Sequence, residues 1–489
     1  MSKGEKLPAV IQGGMGVGVS GWRLARAVSR AGQMGVVSGT VLDVTFARRL
    51  QLGDAGGVLR SAIAKFPDRE MAERVLAEWF VPGGITQERP FKAVPVWRLK
   101  PSPKLVELGV VAAFCEVHLA KRGHNGVVGI NLMDKLRLPM LAGIYGAMLA
   151  GVGYILMGAG IPTEASGAID QLSKNKRAEM SHTLEGEAES ETFSFNPRDY
   201  FKILPDIRRP KFFPIISTHT LATALLRRSR GKVDGFIIEA PVAGGHNAPP
   251  RGKVQLDDAG EPIYGERDVP DLQRMREIGL PFWLAGGEGT PKGLASALKA
   301  GAAGIQAGTP FALSRESGLL RTLKDKLVDG VLDRSLKVKA DALASPTGFP
   351  FRVAQLAGTM SEAAVEAKRK AICDLGYLRR AFKNDHGKVQ FRCPAEPVDD
   401  YVSKGGSADD TKGRMCLCNG LAASIGLGQR RPGGLDEPPV ITLGSDLGPV
   451  REILSEFGVG YSAVEVVRYL TRGIDTPVQV GRVLSTEVS

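Results

Sequence analysis

The stretch Gly235-Phe-Ile-Ile-Glu-Ala-Pro-Val-Ala-Gly-Gly-His246-Asn-Ala-Pro-Pro-Arg-Gly252 decides how this chain is read. Its opening, Phe236 to Ile238, is apolar and β-branched, which predicts a strand buried on both faces. The run then empties into a glycine pair and a histidine instead of a polar hairpin turn. Glycine has no Cβ, so a ligand can approach the backbone of Gly244 and Gly245 closely. His246 would then stand at the C-terminal end of a strand, where a parallel β/α barrel carries its chemistry.

Seven further runs share this character. They cover residues 9–15, 34–40, 127–133, 154–160, 212–218, 281–287 and 304–309. Each is short and nearly continuous in apolar residues, and several are followed by helical spacing, as in residues 22–31 and 291–300. Eight strand-then-helix units predict an α/β fold, a (β/α)8 TIM barrel, with a doubly wound open sheet as the alternative. The barrel is expected over residues 1–335. Long insertions interrupt it at about 41–125 and 161–205, and a mostly helical C-terminal extension follows over 336–489. The acidic run Glu185–Glu191 reads as a mobile solvated loop, 389–404 as an irregular stretch, 407–414 as a linker and 464–473 as a final helix.

A net charge of +12 favours anionic ligands. The basic residues are spread along the chain, aromatics are 6%, and no nucleic-acid-binding motif is present, so nucleic acid is not expected as a partner. No run approaches the ~18 apolar residues that cross a bilayer, so no membrane association is expected either. Five cysteines and no secretory pattern before the first strand predict a cytoplasmic protein with reduced thiols. Cys373, Cys393, Cys416 and Cys418 contain one tight pair where structural zinc usually shows two, so no metal is expected.

Two glycine pairs end consecutive strands, Gly286-Gly287 and Gly308 with Thr309. After strands seven and eight of a barrel, such loops bind phosphate through backbone N–H groups, and Thr309 adds a hydroxyl. Gly13, Gly14 and Met15 end the first strand but lack the spacing of a dinucleotide fingerprint. They suit the face or edge of a ring system, for which Asn131 offers a side-chain partner. Of six histidines, His246 directly follows a glycine pair; His219 is a weaker second candidate.

Taken in order, Ile11-Gln-Gly-Gly-Met-Gly16, Gly129-Ile-Asn-Leu132, Ala243-Gly-Gly-His246, Leu284-Ala-Gly-Gly287 and Gly304-Ile-Gln-Ala-Gly-Thr309 resemble the nitronate monooxygenase (2-nitropropane dioxygenase-like) family of FMN barrels. Gly-His-Asn-Ala-Pro-Pro-Arg-Gly and Pro-Phe-Trp-Leu-Ala-Gly-Gly are similar to trans-acting enoyl reductases of polyunsaturated fatty acid and polyketide synthases. The resemblance implies FMN as cofactor and His246 as the catalytic residue. It also implies phosphate contacts at Gly286, Gly287, Gly308 and Thr309, with Gly244 and Gly245 bordering the flavin. The leading expectation is O2-dependent oxidation of alkyl nitronates, with His246 as base or cationic clamp. The alternative is NAD(P)H-dependent reduction of an enoyl thioester, with His246 polarising the carbonyl. The substrate is accordingly a small anion or an acyl thioester, and an acyl carrier protein is the partner the alternative implies. Asn247-Ala-Pro-Pro after His246 departs from the glycine that many family members carry there.

Overall fold

In a computed structural model that describes residues 7–474, the eight expected strands form one parallel sheet. They are β1 (Val10–Gln12), β2 (Gly35–Ser38), β3 (Val128–Met133), β4 (Tyr154–Gly158), β5 (Lys211–Ile216), β6 (Phe236–Glu239), β7 (Phe282–Ala285) and β8 (Gly304–Ala307). Each pairs with its sequence neighbour, and β8 returns to β1 with Ile11 beside Gln306. Backbone bonds from Gln12 N to Met34 O (2.9 Å) and from Met34 N to Val10 O (3.1 Å) bring β1 against β2. The sheet is therefore a closed barrel, as expected.

Alternation along each strand fills the barrel. Ile11, Met34, Val36, Tyr154, Leu156, Phe213, Ile237, Trp283 and Ala285 form one buried inner cluster. Intervening residues such as Val10, Val37, Ile155, Phe212, Ile238 and Ile305 belong to the larger core under the helices. Both faces of the sheet are thus apolar, which explains the unbroken apolar runs. The Trp283 indole donates to Pro8 O at 2.9 Å, tying the inner core to the chain just before β1.

The connections are less regular. Between β2 and β3, helix Pro103–Lys121 packs against Trp22–Arg30 and Met140–Leu149, while Leu42–Gln51 and Arg69–Trp79 cover it from outside. That helix is apolar on nearly every side because it is buried on nearly every side. The acidic run is solvated as expected, its middle residues forming an exposed turn. It closes an antiparallel hairpin, Ala178–Glu185 with Ser190–Phe195, which is extended by Arg380–Lys383 and Val389–Arg392. Glu185 is fixed by Arg380 (2.9 Å) and Arg392 (2.8 Å), partners from a distant part of the chain.

Residues after 335 fold back over the C-terminal end of the barrel. Strand Phe351–Gln355 pairs with Lys337–Asp341 on one side and with Gly245–His246 on the other. The stretch expected to be irregular contains strand Val389–Arg392 and helix Val398–Ser403, and the expected linker contains helix Ala408–Thr411. Helix Ala463–Leu470 then packs beside both Trp22–Arg30 and Pro291–Lys299. It completes the outer ring between the helices that follow β1 and β7.

Candidate active site

The C-terminal ends of the strands open into three adjoining cavities. The first, of about 950 Å3, is bordered by all ten residues expected around a cofactor: Gly13, Gly14, Met15, Asn131, Gly244, Gly245, Gly286, Gly287, Gly308 and Thr309. The second, about 890 Å3, is an apolar chamber walled by Leu132, Leu136, Phe351, Leu378 and Leu421 among others. The third, about 1130 Å3, is an outer channel past Ala159, Pro249, Arg251 and Tyr264. Glu239 and Ile215 border all three, whereas His246 borders the chamber and the channel.

Strand parity explains the cavity floor. Ile237 faces the barrel interior, so Glu239, two residues on, faces the same way at the rim. Asn131, Ile215 and Gln306 take equivalent places on β3, β5 and β8, and all border the first cavity. Asn131 Nδ2 donates to Gly14 O at 3.0 Å, tying β3 to the loop after β1. The Gln306 Oε1 is buried and has no hydrogen-bond partner. Glu239 and Gln306 are functional-site residues that motif reading passed over, although period-two counting from Ile237 and Gly304 finds them.

Some glycines of these loops leave no room for a side chain. A Cβ on Gly14 would stand 2.2 Å from Asn131 Cβ. One on Gly286, where φ is +85°, would stand 2.9 Å from Ala240 O, and Gly287 has φ +82°. The loop after β1 is pinned from within. Ser20 Oγ accepts from Met15 N (2.9 Å) and donates to Gly13 O (3.0 Å), and Gly13 N donates to Ala307 O (2.8 Å).

A fourth wall comes from a segment with no motif of its own. Thr442 Oγ1 accepts from Gly245 N (2.7 Å), Gly444 N donates to Thr309 Oγ1 (2.8 Å), and Ser445 N donates to Val242 O (3.1 Å). Arg352 Nε also donates to Pro241 O at 2.9 Å. The loop between β6 and His246 is thus clamped by residues from beyond the barrel. Asn247 is buried and closes the loop on itself, Nδ2 to Ala243 O at 3.0 Å.

His246 sits in a side-chain network. Its Nε2 lies 2.7 Å from Ser345 Oγ, and Ser345 Oγ lies 2.8 Å from Thr347 Oγ1. The ring packs edge-on against Phe351, with centroids 4.8 Å apart. Enclosure, aided by the nearby Lys135 ammonium, pushes its pKa down to about 3. Enclosure thus favours the neutral imidazole over the cationic clamp expected for it. If the Ser345 hydroxyl donates to Nε2, the proton of the ring resides on Nδ1. Glu239 shows the opposite displacement: enclosure pushes its carboxyl up to about 8. His219 is elsewhere, its Nδ1 accepting from Asp271 N at 3.2 Å on the outside of the barrel.

The tail cysteines are free thiols. Cys373 and Cys393 are in contact, and burial pushes Cys416 up to about 11. Among the described residues no group of three or more His, Cys, Asp or Glu side chains is arranged to hold a metal ion. No helix there is long and apolar enough to cross a membrane.

Residues 172–353 match the nitronate monooxygenase family model. That span holds β5 to β8, the His246 loop, both glycine pairs, Ser345 and Phe351, so the chain is similar to this family of oxidoreductases as its motifs indicate. Among solved structures, FabK from Thermotoga maritima is matched at a TM-score of 0.47 and 16% identity, over 95% of this chain and 91% of that one. Nitroalkane oxidase from Streptomyces ansochromogenes is matched at 0.42 and 15%, over 95% and 94%. The enoyl reductase domain of MlnA, from the macrolactin cluster of Bacillus amyloliquefaciens, is matched at 0.44 and 12%, over 94% and 92%. No curated protein matches the chain.

Proposed function

We propose that this protein is an FMN-dependent oxidoreductase that reduces α,β-unsaturated acyl thioesters. The first cavity fits a flavin mononucleotide. It is bordered by backbone groups at Gly286, Gly287, Gly308 and Thr309, with Gly286 too tightly packed for a Cβ and Gly287 in the left-handed region, a lining that suits an anion. Its floor offers Asn131 and the unpartnered Gln306 Oε1, an acceptor for a ring N–H. A bound flavin supplies hydride exchange there. The residues hold it, exclude water and orient the second reactant.

The observation that favours reduction of an acyl chain is the apolar chamber. A space walled by Leu132, Leu136, Phe351, Leu378 and Leu421 offers an apolar surface that suits an alkyl chain better than a small nitronate anion. This reverses the order of the two readings expected from sequence. His246 stands between chamber and channel, where a thioester carbonyl would lie. As a neutral N–H donor it stabilises negative charge developing on that oxygen without first having to lose a proton. An acyl carrier protein would present the thioester through the outer channel. Nitronate oxidation remains the reading favoured by the family match.

The cofactor assignment is tested by mass spectrometry of the chromophore released on heating. FMN supports it; FAD, or no flavin after reconstitution, overturns it.

A further inference from the structure

Glu239 is the acidic group that the proposed reaction has not yet used. It ends β6, points inward by strand parity, and is the one residue with a titratable side chain that borders the cofactor cavity, the apolar chamber and the outer channel together. The other carboxyls at these cavities are less central. Glu288 and Asp446 border the cofactor cavity alone, and Asp268 the channel alone. Among the described residues no cation or hydrogen-bond donor is paired with the Glu239 carboxyl, and burial is the sole influence on its titration.

Reduction of an enoyl thioester needs both a hydride at the β-carbon and a proton at the α-carbon. His246 is a poor source of that proton, because its neutral ring is held by Ser345 and gives up N–H protons reluctantly. Resting on the enoyl reading, we propose that Glu239 is the catalytic acid that protonates the α-carbon. A hydride donor held in the first cavity, itself recharged by a dihydronicotinamide, would supply the β hydrogen as the C=C π pair moves to the α-carbon and carbonyl oxygen. The Glu239 O–H bond then breaks and the α C–H bond forms, leaving a carboxylate. Water in the outer channel returns a proton to it. One hydride and one proton are consumed for each double bond reduced, and the carboxyl is unchanged after each turnover.

Placement at the junction is what this role demands. A group bordering only the chamber would have no route for reprotonation, and one bordering only the channel would not reach the substrate. Enclosure keeps the carboxyl protonated near neutral pH, so the proton is present when the substrate arrives.

The experiment separates the two half-reactions of Glu239→Gln, with Glu239→Asp as a second variant. Flavin is reduced anaerobically with NADPH, then mixed with crotonyl-pantetheine. The proposal expects normal flavin content and normal reduction by NADPH, with reoxidation by the thioester slowed about 10²–10⁴-fold. Reoxidation of reduced Glu239→Gln by O2 should be unchanged, and Glu239→Asp should recover part of the thioester rate. Infrared spectroscopy of the flavin-free protein should show a protonated carboxyl band near neutral pH that Glu239→Gln lacks. A near-normal thioester rate in Glu239→Gln overturns the proposal. So does absence of the infrared band from the wild-type protein, a readout that stands even if the variants fail to bind flavin. Wild-type protein that no enoyl thioester reoxidises would instead overturn the enoyl reading itself.

Discussion

The two ends of the active cavity are built from different material. At the cofactor end the walls are backbone: Gly13, Gly14, Gly286, Gly287 and Gly308, positioned by β1, β7 and β8. At the substrate end they are side chains, with His246, Phe351, Leu378 and Leu421 supplied largely by segments that fold back over the barrel. A backbone cradle is indifferent to most side-chain chemistry but intolerant of an added Cβ where packing is tightest, at Gly14 and Gly286. A side-chain wall can be altered piece by piece, which makes it the place where substrate and reaction are chosen. The cofactor end should therefore fail by losing its ligand, and the substrate end by losing rate while the ligand stays.

After Glu239→Gln, the largest expected effect of removing chemistry is His246→Ala. Loss of one donor to a developing oxyanion costs on the order of 10²–10³ in turnover. Flavin content should stay near wild type, since the glycine cradle lies on other loops. A variant with full flavin and near-normal kcat/KM would make His246 a packing residue and dissolve the contrast between the two ends.

Gly286→Val probes the other end. Its φ of +85° and the 2.9 Å approach of Ala240 O leave no relaxed place for a branched side chain. Backbone strain of this kind costs about 1–3 kcal/mol, so flavin affinity should fall roughly tenfold to a hundredfold. Fluorescence titration of the flavin-free protein measures this directly. Unchanged affinity would mean that the phosphate lies elsewhere.

The smallest effect sharpens the substrate end. Ser345→Ala removes the partner of His246 Nε2 and with it the constraint on the ring's tautomer. A neutral hydrogen bond is worth about 0.5–1.5 kcal/mol, so kcat should drop roughly three- to tenfold with flavin affinity unmoved. A larger loss, reaching that of His246→Ala, would show that Ser345 acts on the substrate itself.

The same division governs what could be read from sequence. All eight barrel strands were legible because a parallel strand buried on both faces leaves a nearly unbroken apolar run, and several of these runs end in glycine. The glycine loops were legible because their function depends on what glycine lacks. Glu239 and Gln306 were within reach of period-two counting from Ile237 and Gly304. Ser345, Phe351, Thr442 and Gly444 were not, because nothing local marks them: their roles arise from pairing with Gly245, His246 and Thr309 across 99 residues or more. The strands flanking the acidic run were not read, since the Glu185 side chain is held by Arg380 and Arg392 from a distant part of the chain.

The central claim is that a flavin at the backbone end meets an acyl chain at the side-chain end. Anaerobic stopped-flow tests it most directly, with the flavin first reduced by NADPH and then mixed with either an enoyl thioester or buffer. The account predicts rapid reoxidation by the thioester, with formation of the saturated acyl product. A flavin that NADPH does not reduce, and that propionate-3-nitronate reduces readily, would contradict it and return the protein to nitronate oxidation.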